Sequence, residues 1–331
     1  MFKHDYPFDP TYGYPLSDLL KVMPPPPAPG YAEFWQDTFA QAIQIDPQPI
    51  VTDSHTTINN YQTYDISFTA WPNIKLGGWL LKPTHKAPLA NIIVSHGYGG
   101  RAIVEAAQHN IPANYFFYCT RGFHRSQQPD IPINNSDLHV LCNINSPETY
   151  IHRYCVADIW AAASALIQLE PDLAHNLFYT GSSFGGGMGA LALPWDTRFK
   201  AACLEVPSFG NHPFRLSVPC IGSGEAVRKA HLNNPAIAQT IKFFDAASAT
   251  QFITIPTHYT LALFDPAVPP PGQFSVYNGH AAPKHYSTIK GGHFIYRGIK
   301  EDYKNYAQAQ NQFYCDLISG PSKQTLHPIA K

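Results

Sequence analysis

The sequence predicts an α/β fold in which a mostly parallel central sheet is flanked by helices, preceded by an N-terminal helical arm and an antiparallel hairpin. Two observations carry this prediction. Short continuous apolar runs, Ile92-Ile93-Val94, Tyr115-Phe116-Phe117-Tyr118, Leu177-Phe178-Tyr179 and Ala201-Ala202-Cys203-Leu204, are each bounded by Gly, Pro, Asn or charge. Such runs suit strands buried on both faces, as in a parallel sheet. Between them lie helical patterns, the longest marked by Ile151, Cys155, Ile159, Ala162 and Leu166 at spacings of four and three. Strand and helix in alternation build a parallel sheet whose working residues collect at the carboxyl ends of the strands.

The elements follow in order. The run Pro24-Pro25-Pro26-Pro27-Ala28-Pro29-Gly30 cannot be helical and reads as an extended surface connection. A helix then presents Tyr31, Phe34, Trp35, Phe39, Ala42 and Ile43 on one face. Gln62–Ala70 and Ile74–Leu81 read as a hairpin turning at Trp71-Pro72-Asn73. Beyond the four apolar runs, His258–Phe264 and His285–Ile289 are further strands, separated by helical or Pro-rich segments. Without an internal repeat or a convincing linker, residues 1–331 are expected to form one domain, with arm and helix over 1–50 and the core over 51–331.

Composition narrows the class. The 331 residues carry 22 Lys and Arg against 23 Asp and Glu, a formal charge of −1, which argues against a nucleic-acid partner or an anionic membrane. A 44% hydrophobic content removes the chain from the disordered class. Cys119, Cys142, Cys155, Cys203, Cys220 and Cys315 are scattered without CxxC, so they read as reduced thiols, with neither a metal nor a cofactor expected. The first residues lack an apolar signal core and no apolar run reaches the length of a span, so a cytoplasmic location is expected.

One motif carries chemistry. The run Leu177–Thr180 leads into Gly181-Ser182-Ser183-Phe184-Gly185 and then a Gly/Ala-rich helical stretch, which is G-x-S-x-G in its strand–turn–helix setting. Glycines two residues either side let strand and helix approach, so the central hydroxyl stands above the sheet. Ser183 is in register, whereas Ser182 has Thr180 where the first glycine belongs.

A serine needs a base, and the base an orienting carboxylate, in the chain order Ser, Asp or Glu, His. Asp265, at the end of the apolar stretch Leu261–Phe264, is the favoured acid, with Asp245 as the alternative. Of His280, His285, His293 and His327, His293 follows Gly291-Gly292 in a loop free to project its ring and is the favoured base. The oxyanion donors are expected to be the backbone amides of Phe184 and of Tyr98, the latter in the turn His96-Gly97-Tyr98-Gly99-Gly100. His96 itself reads as a structural hydrogen-bonding residue.

Together these residues resemble the acetyl xylan esterase and cephalosporin-C deacetylase family of the α/β-hydrolase fold. Further segments carry the likeness: Pro15–Leu19 with Phe34-Trp35, Ser95–Tyr98, Tyr150–Tyr154 with Ala157-Asp158, Lys200–Ala202 through Val206-Pro207, and Phe264-Asp265 with Pro269-Pro270 and Tyr277-Asn278. The resemblance implies a cofactor-free deacetylase using Ser183, Asp265 and His293, often assembled as a hexamer. Departures occur at Cys119, Phe123, Phe184 and Phe294, where the family carries Asp, Gln, Gln and Glu, while Arg121 is retained as a structural anchor. The resemblance also implies a short acyl pocket flanked by Tyr98 and Phe184, with Phe123 and Phe294 pulling towards longer chains if their rings line it. A serine carboxylesterase acting on a small-molecule acetyl ester is therefore expected. A peptidase or aryl-esterase, or a catalytically silent oligomeric binding protein, is the alternative.

Overall fold

The computed structural model describes residues 2–106 and 111–319. Among them nine strands form a single sheet: β1 Ile50–Ile58, β2 Tyr61–Ala70, β3 Ile74–Pro83, β4 Asn91–Val94, β5 Asn114–Tyr118, β6 Leu177–Ser182, β7 Phe199–Glu205, β8 Thr257–Ala262 and β9 Lys284–Ile289. Their spatial order is β1-β2-β3-β5-β4-β6-β7-β8-β9. From β5 to β9 every pairing is parallel, whereas β1, β2, β3 and β5 pair antiparallel. The four apolar runs of the sequence are β4 to β7, and β4 and β5 are buried along their whole length.

The helices close both faces. On one side Ile151–Leu169 and Tyr31–Ala42 pack together, with Trp35 and Trp160 edge to face at 6.4 Å. On the other, the helix Ile299–Ser319 sets Tyr314 parallel to Phe178 of β6 at 5.0 Å. Among the described residues no helix is long and apolar enough to cross a membrane.

Several expectations shift. The strand β1 carries no apolar signal in the sequence: its run Thr52-Asp53-Ser54-His55-Thr56-Thr57 is polar and mostly exposed, a sheet edge with a register shift between Asp53 and Thr56. The hairpin turns as expected at Trp71-Pro72-Asn73, with Asn73 at φ 80°. Strand β8 stops at Ala262, so Leu263 and Phe264 belong to the loop, although Leu263 N–H still reaches Ile289 O at 3.0 Å. The prolines after Asp265 open a helix, Pro270–Gly279, because a proline in the first turn forfeits no intrahelical bond. Ile43 caps its helix from outside and is exposed, not part of the buried face.

Candidate active site

Ser183 sits between β6 and the helix Phe184–Ala192 at φ 54° and ψ −111°, a conformation side chains rarely adopt. The glycines permit it by removing atoms. A Cβ on Gly181 would lie 2.5 Å from Gly185 O, and one on Gly185 would lie 2.7 Å from Ser95 Oγ. Backbone bonds lock the turn: Ser183 N–H donates to Glu205 O at 2.8 Å, and Ser208 N–H donates to Ser183 O at 3.0 Å. Ser182 closes β6, and its hydroxyl bonds towards the Glu205 carboxylate instead.

The structure brings the three favoured residues together. His293 Nε2 is 2.8 Å from Ser183 Oγ, and its Nδ1 is 2.8 Å from Asp265 Oδ2. With Nδ1–H donating to the carboxylate, Nε2 is left to accept the serine proton. His293 itself holds φ 46° at the top of its loop, where Gly292 is required because a Cβ there would collide with Asp265 Oδ2. Burial works against charge on the imidazole, but the adjoining Asp265 carboxylate and its hydrogen bond outweigh it, so the pKa lies above the usual histidine value.

Asp265 is fully buried beyond the end of β8. Its Oδ1 accepts the N–H groups of Ala267 and Val268, each at 2.9 Å, and its Oδ2 accepts Gln273 Nε2–H at 3.0 Å. The alternative residues lie elsewhere. Asp245 caps the helix Ala246–Thr250, accepting from Ala247 and Ser248 N–H as well as from Asn211 and His212. His280 is buried against Tyr259 Oη, and His285 is exposed on β9. His327 lies outside the described residues.

Among the described residues neither the Phe184 nor the Tyr98 backbone N–H has a protein acceptor. The loop bearing Tyr98 is held against the elbow by Gly185 N–H donating to His96 O at 3.0 Å. His96 is the expected structural residue. Its Nε2 accepts Thr120 N–H at 3.0 Å, so Nδ1–H donates to Gly97 O at 2.7 Å, and burial holds its pKa at about 3. The Tyr98 side chain is fixed between two further histidines: its hydroxyl is 3.1 Å from His139 Nδ1 and 3.0 Å from His152 Nε2. Arg121 pairs with buried Asp158 through Nε and Nη2, and its Nη2 also reaches Trp71 O at 2.7 Å.

A pocket of about 370 Å³ opens over Ser183, walled by Gly97, Tyr98, Ser208, Arg215 and His293 among others. Tyr98 borders it as expected, but Phe184 does not. The Phe184 ring is buried, 4.3 Å edge to face from Tyr98 and stacked 6.2 Å from His96, because helix entry turns its side chain away from the cleft. Phe123 packs into the same interior group, and Phe294 packs against Phe2 and Phe264, so neither lines an acyl channel. Sequence reasoning passed over Gln273, Ser208 and Arg215, whose only signal is a place just after a strand or in the helix that follows. Among the described residues no group of three or more His, Cys, Asp or Glu side chains could hold a metal ion.

This strand order and elbow define an α/β-hydrolase fold, and the hydrogen-bonded Ser–His–Asp line has the geometry that serine hydrolases use. The family model for acetyl xylan esterase (AXE1) matches residues 11–317, and the chain belongs to that family of serine ester hydrolases. Acetyl xylan esterase 1 from Thermoanaerobacterium sp. JW/SL YS485 superposes with a TM-score of 0.76 at 18% identity, covering 91% of this chain and 99% of that one. The acetyl xylan esterase from Paenibacillus sp. R4 gives 0.75 at 20% identity, covering 89% and 99%. An acylaminoacyl peptidase from Pyrococcus horikoshii shares the fold at a TM-score of 0.61 and 15% identity, covering 83% of this chain but 44% of its own.

Proposed function

We propose that the protein is a serine carboxylesterase that removes small acyl groups, acetyl foremost, from a sugar or another polar alcohol. The observation that carries this reading is the unbroken line from Ser183 Oγ through His293 to Asp265 at the floor of an open pocket. Ser183 Oγ attacks the ester carbonyl carbon while His293 Nε2 takes its proton. The amides of Tyr98 and Phe184 stabilise the resulting oxyanion, aided by the positive end of the Phe184–Ala192 helix. Collapse expels the alcohol, which receives the proton from His293, and leaves an acyl-Ser183 ester. A water activated by the same imidazole then releases the carboxylic acid. Asp265 holds the ring in the required tautomer and stabilises its charged form.

A pocket of about 370 Å³ lies at the small end of ligand sites, and it must hold both halves of the ester. Short acyl chains fit that limit. The test compares kcat/KM for acetyl, butyryl and octanoyl 4-nitrophenyl esters, alongside a peptide amide. The expected order is acetyl first and octanoyl barely cleaved; a rise with chain length, or faster amide cleavage, overturns the deacetylase reading. Ser183→Ala is expected to lower kcat by roughly 10⁵-fold or more. A fluorophosphonate probe should label Ser183 alone.

A further inference from the structure

Arg215 is a buried cation without a counter-charge. It is 5% exposed and lies on the wall of the Ser183 pocket. Among the described residues no carboxylate is within ion-pairing distance of it. Among the described residues its one hydrogen bond is a long one, from Nη1 to His212 Nδ1 at 3.5 Å, and its Nε has no partner. The guanidinium also sits 5.4 Å over the Phe209 ring, which stabilises charge weakly. The nearby Glu225 is already held by Arg228 through two bonds of 2.7 Å, and Asp245 is engaged by backbone N–H groups. Burying a charge with idle donors is costly, and the arrangement makes sense where a bound molecule supplies the anion.

A second feature faces the same space. The helix Ser223–Asn233 begins at Gly222 with no side-chain cap, and Gly222 and Ser223 border the Ser183 pocket. Both Glu225 N–H and Ala226 N–H turn back to Gly222 O, while the N–H groups of Ser223 and Gly224 have no acceptor among the described residues. Arg215 lies directly against this first turn: a Cβ on Gly224 would be 2.6 Å from its Nη2. Free helical N–H groups and a planar guanidinium fork converge on one place, each suited to anionic oxygens.

We propose that Arg215 and the first turn of the Ser223–Asn233 helix form an anion-recognising wall, and that the physiological ester carries a carboxylate or phosphate on its alcohol half. The inference rests on the esterase reading above and adds the charge of its substrate. An acetyl group carries no charge, so the anion belongs to the leaving alcohol.

The test uses three acetyl esters of one shape: 4-acetoxybenzoate, its methyl ester and 4-acetoxyphenyl phosphate. Each kcat/KM is divided by the ester's alkaline hydrolysis rate, which removes the intrinsic reactivity of the leaving group. One or both anionic esters should exceed the methyl ester by about tenfold or more, and the better of them names the group. In Arg215→Gln that ratio should collapse towards one, with Arg215→Lys in between, whereas a merely structural residue would lower all three rates alike. Should the variants fail to fold, product inhibition of the unaltered enzyme decides, with 4-hydroxybenzoate expected to bind about tenfold tighter than methyl 4-hydroxybenzoate. Equal or poorer handling of both anions by the unaltered enzyme overturns the inference while the esterase reading stands. Loss of all three activities, with 4-nitrophenyl acetate also inert, would instead remove the esterase reading.

Discussion

Gln273 Nε2–H donates to Asp265 Oδ2 at 3.0 Å, the same carboxylate oxygen that receives Nδ1–H from His293. The amide also donates to Val268 O at 2.7 Å and accepts Ala262 N–H at 2.8 Å, so it ties the acid to both β8 and the loop after it. Gln273→Leu should therefore lower kcat/KM about ten- to a hundredfold, since a hydrogen bond to a charged group is worth about 1.5–3 kcal/mol. Without that donor Asp265 is a stronger acceptor and holds the imidazole proton more firmly. The acid limb of the rate profile should then move to higher pH, a change that loss of stability alone would not produce.

The pH dependence of the unaltered enzyme follows from His293. Only the neutral imidazole can accept the Ser183 proton, so kcat/KM should fall as the pH drops through the pKa of His293, which lies above the ordinary histidine value of 6.5. Burial opposes that shift and the Asp265 carboxylate drives it. Asp265→Asn should lower kcat by roughly 10⁴-fold and move the limb down in pH. The linkage to stability has a definite sign: a raised histidine pKa stabilises the folded state below the unfolded value, and this contribution is lost as pH rises through the folded pKa. Urea unfolding across that interval should show the loss in the native protein and not in Asp265→Asn.

Glycine at position 185 is a steric requirement. An alanine there would press on Ser95 Oγ at 2.7 Å, Ser95 Cβ at 2.8 Å and His96 O at 3.0 Å, and these atoms belong to the strand end that leads to the oxyanion loop. Relief requires the loop and the elbow to separate, which weakens the Gly185 N–H to His96 O bond. Gly185→Ala should lower kcat at least a hundredfold and cost about 1–3 kcal/mol of stability, as overpacking does. Steady-state kinetics paired with thermal unfolding would check both.

Among the described residues the Arg121–Asp158 pair is the most deeply buried ion pair, at 3% and 0% side-chain exposure. Arg121→Met strands Asp158 and should destabilise the protein by about 3–5 kcal/mol. Pairing it with Asp158→Leu should recover much of that loss, since well-packed apolar residues can replace a buried ion pair. Denaturant unfolding of the two single variants and the double variant gives the coupling directly.

Legibility tracked how local each signal was. Strands β4 to β7 announce themselves through unbroken apolar runs, and Ser183 through glycines that must flank it. Asp265 could be chosen because it ends an apolar run and Pro266 breaks the chain straight after it, and His293 because Gly291-Gly292 separates it from the strand before. The edge strand β1 has no such signal, because its side chains meet water on both faces and only its backbone pairing makes it a strand. Gln273, Ser208 and Arg215 are ordinary polar residues until the chain folds and sets them against the acid, the nucleophile and an uncapped helix. The direction of the Phe184 ring was equally hidden, since helix geometry and not the pentapeptide decides where that side chain points.

Phe2 packs 5.0 Å from Phe264, 5.3 Å from Phe294 and 4.9 Å from Tyr296, and Asp265 N–H donates to Pro10 O at 3.0 Å. Residues 2–10 therefore work as a splint across the loops of Asp265 and His293, although they contribute nothing to the sheet. A protease that nicked the chain just after Pro10 would leave every strand paired and the far-ultraviolet spectrum unchanged. The hydrolase would nevertheless lose turnover, because the imidazole would be released from its register with the serine. Silencing of this kind needs no unfolding, and a bulky fusion ahead of Phe2 would act on the same lever.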